Sequence, residues 1–251
     1  MISKNQIKLI RQLEMKKFRS REGLFVAEGP KVVGDLLRRY DAKAIYATDG
    51  WNPPADVSQS LVERITDDEL HRISFLQHPQ QVLALFPIPK SDSSSSLSHL
   101  SSSLSLALDG IQDPGNLGTI IRIADWFGID TIYCSEDTAD AYNPKVVQAT
   151  RGSLARVNII YLSLEALFDS LPDDFPVYGT LLDGDDIYQQ PLSQNGIIVM
   201  GNEGNGISPE IRQLVTHKLL IPNFNKNHET AESLNVAIAT AITCSEFRRR
   251  F

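Results

Sequence analysis

The second part of the 251-residue sequence predicts an α/β fold with a mainly parallel sheet, preceded by a smaller α/β unit. Three observations support this prediction. Strand-like apolar runs alternate with helical periodicity after residue 104, polar or glycine-rich loops follow several of those runs, and a serine-rich stretch separates the two parts. Strands that alternate with helices favour parallel pairing with helices on both faces of the sheet. The predicted domains are residues 1–88 and 104–251, joined by a linker at 89–103.

The first 88 residues predict a small unit of helices and strands. Apolar positions recur at helical spacing over residues 3–17, and a turn is predicted at 19–23. Pro30 stands where a second helix begins, a position that suits its fixed φ. The remaining predicted elements are strands at 24–27, 42–47, 61–65 and 81–86 and a short helix at 67–73.

The boundary between the two parts is rich in serine. Ser93–Ser96 and Ser101–Ser103 flank a short stretch of mixed residues. Such polar runs cannot bury enough apolar area to order themselves, so the composition predicts a flexible linker.

From Leu104 onward the predicted strands and helices alternate regularly. Each strand-like run is short and apolar, and most are followed by a segment with helical spacing. The predicted strands are 104–108, 131–134, 157–161, 177–181, 197–200 and 218–221, and the predicted helices are 116–127, 143–150, 164–171, 208–215 and 231–247.

Composition and charge narrow the possible functions. No apolar run approaches the roughly 18 residues of a membrane span, and five scattered histidines show no metal-ligand spacing. The net charge of −7 argues weakly against non-specific nucleic-acid binding. Two cysteines in apolar or helical patterns favour free thiols and a cytosolic location. A local basic cluster near the start is either an RNA-binding surface or a solvated face; it contains Lys16, Lys17, Arg19 and Arg21.

The loop and helix from Asp109 to Gly118 form the first candidate for a functional motif. A predicted strand ends at Leu108, and turn residues lead to a helix expected to be capped near Asn116. Arg122 follows among isoleucines, where its charge needs a partner. Spacing alone leaves two interpretations open: a functional guanidinium, or an arginine that extends its charge to solvent.

A glycine-rich loop, Gly201–Gly206, forms the second candidate. It follows an apolar strand and contains Glu203. Ligands bind at this end of the strands in open parallel sheets, and glycine permits close backbone approach. Glu203 could bind a cation or orient a guanidinium, or it could simply precede a helix. The dinucleotide fingerprint and the P-loop lysine are both absent from this loop.

Two further short segments carry polar residues at helix ends. Ser233 and Asn235 precede a helix of small residues, where such side chains usually act as caps. Arg151 follows another predicted helix. It is either a cation near a helix C-terminus or a contact for an anionic substrate.

Taken together, these segments resemble the SpoU family of RNA ribose methyltransferases, within the knotted SPOUT superfamily. Asp113–Gly118 with Arg122 resembles that family's first motif, Met200–Gly204 with Gly206 its second, and Ile221-Pro222 followed by Ser233–Ala237 its third. The N-terminal part is similar to the family's substrate-binding domain, itself like certain ribosomal proteins. The residues that support this looser similarity are Lys16–Arg19 and Phe25–Gly29.

The resemblance implies a C-terminal trefoil knot, a homodimer and S-adenosylmethionine as cofactor. It implies RNA as the substrate, with ribosomal RNA favoured over transfer RNA. The composition itself predicts neither a metal site nor a membrane span. The implied cofactor-binding residues are Thr180, Leu181, Gly201, Ile221 and Leu234. The implied catalytic residues are Arg122, Asn116, Glu203, Ser233 and Asn235, and the candidate substrate-binding residues are Arg151, Lys16, Lys17 and Arg19.

The resemblance also implies a role for each catalytic residue. Asn116 would hold Arg122 or the substrate, and Ser233 and Asn235 would shape the pocket, with capping as a second role. Arg122 would activate the ribose 2′-hydroxyl, as a base or, more readily for a group with a pKa above about 12, by stabilising the developing alkoxide. Glu203 would orient Arg122, from the same subunit or across a subunit boundary. The segment 223–232 is longer than usual for the family and is expected to act as a lid or to contact RNA. His228 within it is an acid–base candidate or a solvated loop residue.

Two rival functions remain open from the sequence. One is a non-catalytic RNA-binding protein that retains the fold, and the other is a doubly wound nucleotide-binding enzyme. Retention of the polar motif residues argues against the first, and the missing phosphate-binding fingerprints argue against the second.

Overall fold

A computed structural model describes residues 1–89, 103–225 and 231–251. The predicted linker, 89–103, lies outside the described residues except for its two ends. The helices are α1 (Lys4–Gln12), α2 (Lys16–Glu22), α3 (Pro30–Leu37), α4 (Asp67–Ile73), α5 (Pro114–Trp126), α6 (Pro144–Ala149), α7 (Leu164–Asp169), α8 (Pro209–Leu214) and α9 (Val236–Arg249). The strands are β1 (Leu24–Glu28), β2 (Ala44–Ala47), β3 (Val62–Arg64), β4 (Val82–Pro87), β5 (Leu104–Asp109), β6 (Thr131–Cys134), β7 (Asn158–Tyr161), β8 (Val177–Asp186), β9 (Gly196–Gly201) and β10 (His217–Leu220).

The contacts divide the described residues into two compact units. Those of Met1–Lys90 and Asp140–Arg156 form the first unit, and those of Ser91–Ala139 and Val157–Phe251 form the second. The segment 140–156, which contains α6, therefore groups with the N-terminal residues, although the sequence predicted it as part of the second domain.

The first unit is built on a mixed four-stranded sheet. Its order is β1-β4-β2-β3, with β4 antiparallel to β1 and β2 and with β2 parallel to β3. The predicted helix at 3–17 is two helices, because α1 ends at Gln12 and α2 begins at Lys16. The predicted turn at 19–23 is wrong, since α2 continues to Glu22 and Gly23 ends it with a positive φ of 65°.

The second unit contains a six-stranded sheet in which every pairing is parallel. Its order is β10-β8-β9-β5-β6-β7. The prediction of an α/β fold with a mainly parallel sheet is confirmed. The central strands β5 and β9 are buried along their whole length, as expected for strands covered on both faces.

Two helix starts differ from the prediction: Asp113 caps α5, and of the two predicted caps Ser233 and Asn235 only Asn235 caps α9. Helix α5 begins at Pro114 with Asp113 as its N-cap, whereas the sequence suggested a cap near Asn116. Helix α9 begins at Val236 with Asn235 as its N-cap, five residues after the predicted start at 231. As a result, the candidate site residue Asn116 lies in the first turn of α5, and Asn235 directly precedes α9.

Strand β8 breaks its pairing at a position that matters for the site. It pairs with β9 only over Val177–Gly179. Against β10 the register jumps from Lys218 opposite Gly179 to Leu219 opposite Asp185. Residues 180–184 therefore lie between the paired segments, and their backbone is not committed to either neighbouring strand.

Within the described parts of the chain, no helix is long and apolar enough to cross a membrane. The same residues contain no group of three or more His, Cys, Asp or Glu side chains placed to hold a metal ion. Cys134 and Cys244 are free and buried.

Candidate functional site

The carboxyl ends of the parallel strands in the second unit surround a cavity of about 310 Å³. Backbone and side chains from the ends of β8, β9 and β10 and from the segment before α9 line it. Ligands bind at this edge in open parallel sheets. All five predicted cofactor-binding residues line this one cavity: Thr180, Leu181, Gly201, Ile221 and Leu234.

The first turn of α5 presents Asn116 to the neighbouring loops. Asp113 caps the helix by accepting a hydrogen bond from the Asn116 backbone amide, at 2.8 Å. Pro114 occupies the first turn, where its missing N–H costs nothing. Because Asp113 caps the helix, the Asn116 side chain is free to bond to other loops.

The glycine loop after β9 has a fixed shape. A Cβ on Gly201 would lie 2.2 Å from the Gly206 carbonyl carbon and the Ile207 nitrogen, so only glycine fits there. The Asn202 carboxamide accepts hydrogen bonds from the amides of Gly204 and Asn205, at 2.9 and 3.0 Å. Its nitrogen donates to the Gly110 carbonyl at 2.7 Å, which ties this loop to the β5–α5 loop.

Asn202 lies within the second motif, Met200–Gly204, but the sequence predicted no role for it. The signal available to find it was an asparagine inside a glycine turn, a residue that often bonds to nearby backbone amides.

Glu203 contacts the beginning of α5 rather than an arginine of the same chain. Its carboxylate accepts hydrogen bonds from the backbone amides of Gln112 and Asp113, at 3.2 and 3.1 Å, and from Asn116 Nδ2 at 3.1 Å. Partial burial raises the pKa of Glu203, but the Asn116 side chain and the backbone donors outweigh burial, so the pKa is lowered from 4.5. Glu203 is therefore a carboxylate at neutral pH.

Asn235 completes a hydrogen-bonded chain across the three motifs. Its Nδ2 donates to Asn116 Oδ1 at 3.0 Å, and its own Oδ1 caps α9 by accepting from the amides of Ala237 and Ile238. Ser233 lines the cavity but does not cap the helix. The hydrogen bonds from Glu203 to Asn116 and from Asn116 to Asn235 thus fix the N-terminal ends of α5 and α9 against the glycine loop.

Arg122 lies apart from this chain of hydrogen bonds. It is exposed, does not line the cavity, and has no hydrogen-bond or ion-pair partner among the described residues. Arg122 lies six positions after Asn116, so the two directions are about 120° apart around the helix and roughly 9 Å apart along it. Within one chain, Arg122 and Asn116 therefore point in different directions.

The face of α5 that carries Arg122 also exposes large apolar side chains. Trp126, one turn after Arg122, is 85% exposed, and Ile123 beside it is partly exposed. Helix α9 packs against α5 and leaves Ile238 53% exposed, with Ile242 one turn further along and partly exposed.

The predicted substrate-binding residues have contrasting environments in the first unit. Lys16 and Lys17 are exposed on α2. Arg19 is only 1% exposed and donates to the carbonyls of Leu13 and Glu14 and to the Asp140 carboxylate. The prediction that Arg19 binds substrate does not fit this burial, because its donors bond within the protein.

Two remaining predictions concern Arg151 and the long loop after β10. Arg151 belongs to the first unit and does not line the cavity of the second. Residues 226–230 of the predicted loop, with His228, lie outside the described residues. Of its described residues, Glu232 lines the cavity and Phe224 is 82% exposed.

A parallel α/β sheet with a ligand-sized cavity between loops at its carboxyl edge defines a class of small-molecule-binding α/β domain. Comparison with known families is more specific. Residues 103–245 match the SpoU rRNA Methylase family, and residues 4–84 match the MRM3-like substrate binding domain. The chain belongs to the SpoU rRNA methylase family, which confirms the resemblance drawn from its three motifs.

Individual relatives agree along the whole chain. The 23S rRNA (guanosine(2553)-2'-O)-methyltransferase RlmP of Bacillus subtilis is 31% identical over 98% of this chain and 97% of the relative. A TrmH-family protein from Porphyromonas gingivalis has 41% identity and a TM-score of 0.85, with both chains fully covered. An rRNA methyltransferase from Sinorhizobium meliloti, solved with AdoMet bound, has 30% identity and a TM-score of 0.86 over 100% of this chain and 97% of that one.

Proposed function

We propose that this protein transfers a methyl group from S-adenosylmethionine to a ribose 2′-hydroxyl of RNA. The observation that carries the proposal is the hydrogen-bonded chain Glu203–Asn116–Asn235 beside the cavity at the strand ends. It joins the three segments that identify the family. The relatives described as rRNA methyltransferases, one of them with AdoMet bound, support the same reaction and cofactor.

The residues of the cavity fit S-adenosylmethionine. Its apolar wall includes Leu181, Ile221 and Leu234, which suit an adenine ring, and residues 180–182 offer backbone that neither neighbouring strand pairs. The carboxylates of Glu203 and Glu232 complement a cationic ligand. When bound, the cofactor supplies an electrophilic methyl group on a sulfonium sulfur.

The chain's own residues have distinct tasks in this reaction. Glu203 and Asn235 hold Asn116 in one orientation, and Asn116 holds the β5–α5 loop against the cavity. Ser233 lines the cavity and is placed to contact bound ligand. A ribose hydroxyl is a weak nucleophile, and the guanidinium of Arg122 would stabilise the developing alkoxide rather than remove a proton, because arginine stays protonated in proteins. The hydroxyl proton would pass to solvent water as the new oxygen–methyl bond forms.

Arg122 acts, in this proposal, on the cavity of a second copy of the chain. Its direction away from Asn116 and its lack of a partner among the described residues support an intermolecular role. The apolar side chains around it, Trp126 on α5 and Ile238 on α9, supply the surface for a symmetric homodimer. A dimer would cover this exposed apolar area and bring each Arg122 toward the partner's site.

The first unit would deliver the RNA. Its match to a substrate-binding domain and the exposed Lys16 and Lys17 support this role. Ribosomal RNA is the favoured substrate, because the full-length relative from B. subtilis is described as a 23S rRNA methyltransferase.

Several structural features belong to the same proposal. They are the domain boundaries 1–88 and 104–251, the ribosomal-protein-like character of the first domain and the C-terminal trefoil knot. The free thiols fit the predicted cytosolic location.

A mixing experiment tests the shared site. Arg122→Ala should lose methylation of ribosomal RNA but keep S-adenosylmethionine affinity in calorimetry, and Gly201→Ala should lose cofactor affinity. Neither variant is active alone. Random pairing of equal amounts should restore about a quarter of wild-type activity, because half of the dimers then contain one complete site. Arg249→Ala, which removes an exposed arginine at the end of α9, is the matched control and should stay active, because Arg250 keeps the ion pair with Glu246.

Three results would contradict parts of this proposal. Unchanged turnover in Arg122→Ala would remove the catalytic role of that side chain. No recovery on mixing would place Arg122 and the cofactor in the same subunit. Cofactor binding without any methyl transfer to RNA by the wild type would favour a non-catalytic RNA-binding protein.

A further inference from the structure

The first unit contains a second cavity, of about 360 Å³, that shares no residue with the cofactor cavity. Its wall combines apolar side chains, among them Val26, Phe75 and Val147, with the charged residues Glu28, Lys145 and Arg151. This volume lies in the range of roughly 300–1,000 Å³ that is usual for small-molecule sites. An apolar wall with a few charged groups is the usual composition of a binding site.

The buried acidic side chain in this cavity is Glu28. The residue is 5% exposed, and its carboxylate accepts hydrogen bonds from the Phe75 amide at 2.9 Å and from the Ser74 hydroxyl. Desolvation by burial raises the pKa of Glu28, although Ser74, Phe75 and Arg11 act in the opposite direction. A carboxylate has about four acceptor positions, so two remain for donors of a ligand.

Two cations stand at the same cavity. Lys145 and Arg151 both line it, both are exposed, and neither side chain has a hydrogen-bond or ion-pair partner in the described parts of the chain. A third cation, Arg11, lies over the Phe75 ring at 4.7 Å. Two positively charged side chains therefore line the cavity, although the whole chain is acidic, with a net charge of −7.

The turn that carries Arg151 has an uncommon backbone conformation. Arg151 has a φ of 54°, in the left-handed region that non-glycine residues rarely adopt. The next residue, Gly152, has a φ of 98°, and a Cβ there would lie 2.3 Å from Asp35 Oδ2. Such strained residues persist where the surroundings hold them, and they are enriched at ligand sites.

We propose that this cavity binds an unpaired guanine of the RNA substrate, at a nucleotide other than the one methylated. The N1–H and the 2-amino group of guanine are two adjacent donors, and they match the two remaining acceptor positions of Glu28. Uracil, adenine and cytosine do not present two adjacent donors on that edge. Lys145 and Arg151 bind the flanking phosphates, and the apolar wall covers the base. Bases splayed out of loops are the usual targets of sequence-specific RNA recognition.

This inference rests on the proposed function, because it assumes an RNA substrate. The test measures the affinity of the whole protein for the trinucleotides UpGpU, UpIpU and UpApU by calorimetry, without cofactor. Inosine lacks the 2-amino donor, so UpIpU should bind about tenfold more weakly than UpGpU, and UpApU at least as weakly. Glu28→Gln should abolish this preference. The inosine comparison needs no variant, so it remains decisive if that substitution affects folding.

The phosphate contacts are tested with a charge-matched control. The double variant Lys145→Ala/Arg151→Ala should weaken all three trinucleotides and lower the salt dependence of binding by up to two released counterions. Lys8→Ala removes an exposed lysine of α1 in the same unit, away from the cavity, and should change neither quantity. Guanosine monophosphate, which has one phosphate, should bind more weakly than UpGpU.

Any of four results overturns the proposal: equal affinities for guanine and inosine, a guanine preference that survives in Glu28→Gln, a double variant equal to Lys8→Ala, or a mononucleotide that binds as tightly as UpGpU. These results are separable from a failure of the proposed function. A wild type that methylates RNA without preferring UpGpU contradicts only this inference. A wild type that neither binds S-adenosylmethionine nor methylates RNA contradicts the proposed function, whatever the trinucleotides do.

Discussion

Replacing Asn116 by aspartate tests the chain of hydrogen bonds that joins the three motifs. Asn116 donates through Nδ2 to Glu203 and accepts through Oδ1 from Asn235. Asn116→Asp keeps the shape and the acceptor for Asn235 but places a carboxylate oxygen where the donor was. Two carboxylates then face each other at about the 3.1 Å that now separates Nδ2 from Glu203 Oε1. Asn116→Ala is the matched control, because it removes the hydrogen bonds without adding charge.

The size of the effect follows from that distance. Two unit charges about 3 Å apart repel by about 1 kcal/mol in water and by about 5 kcal/mol at an effective dielectric constant of 20. Glu203 is exposed and Asn116 only partly buried, so screening favours the lower part of this range. We expect Asn116→Asp to lower the free energy of unfolding by about 1–3 kcal/mol beyond the loss in Asn116→Ala.

The pH dependence has a definite sign. In the wild type the pKa of Glu203 is lowered from 4.5, so its contribution to stability is present above that value and is lost as the pH falls through the folded pKa. In Asn116→Asp the introduced carboxylate lies beside that of Glu203. Their repulsion raises the pKa of one of the two carboxyl groups in the folded protein. The loss of stability relative to Asn116→Ala is complete above the raised pKa. It shrinks as the pH falls toward the pKa of the carboxyl group in the unfolded chain.

Urea unfolding monitored by circular dichroism at pH 8 and pH 5 measures both quantities. The deficit of Asn116→Asp relative to Asn116→Ala should be largest at pH 8 and clearly smaller at pH 5. The reasoning is refuted if the aspartate variant is no less stable than the alanine variant at pH 8. It is equally refuted if their difference is the same at both pH values.

Three further predictions use other parts of the structure. Arg19→Ala should lower the free energy of unfolding by about 3–5 kcal/mol, because it leaves two backbone carbonyls and Asp140 without their buried donor. Urea unfolding measures this loss, and a small loss would contradict the buried role of the Arg19–Asp140 pair. Gly201→Ala should abolish S-adenosylmethionine binding in calorimetry, since its Cβ would lie 2.2 Å from Gly206; normal affinity would contradict the fixed loop shape. Burial raises the pKa of the Cys244 thiol to about 12, so about one molecule in ten thousand is a thiolate at pH 8. The folded protein should therefore resist alkylation at pH 8 while unfolded protein reacts, and rapid modification of the folded state would contradict that burial.

Periodicity predicted the strands of the parallel sheet well but missed the starts of two helices, α5 and α9. The strand prediction 131–134 coincides with β6, whereas α9 begins at Val236 instead of 231. Short apolar runs predict buried strands, because burial selects apolar residues at each position of such a strand. A helix start depends on which of several polar residues forms the cap. The sequence suggested a cap near Asn116, but Asp113 caps α5, and the Asn116 side chain bonds to Glu203 instead.

The cofactor cavity was predictable because strand ends of a parallel sheet share one edge. What the pattern did not predict is how the β8 end contributes to it. The pairing of β8 jumps between Gly179 and Asp185, which leaves residues 180–184 outside the regular ladder. A register jump depends on the partner strand, and a single strand carries no signal for it. Likewise, Lys16 and Arg19 have the same charge and similar neighbours in the sequence, yet one is exposed and the other buried against Asp140.

Helix α5 relates the chemistry of the proposed site to the assembly of the protein. Asn116, on one face, is held by Glu203 and Asn235, and so fixes the loops at the cavity of its own chain. Arg122, on another face, lies among exposed apolar side chains such as Trp126. A rigid helix directs the two groups to different sides, because their directions are about 120° apart around its axis. If Arg122 serves methyl transfer, dimerisation is therefore a condition for activity, and substitutions at Trp126 that prevent dimerisation should abolish methylation while Glu203 and Asn116 remain correctly bonded.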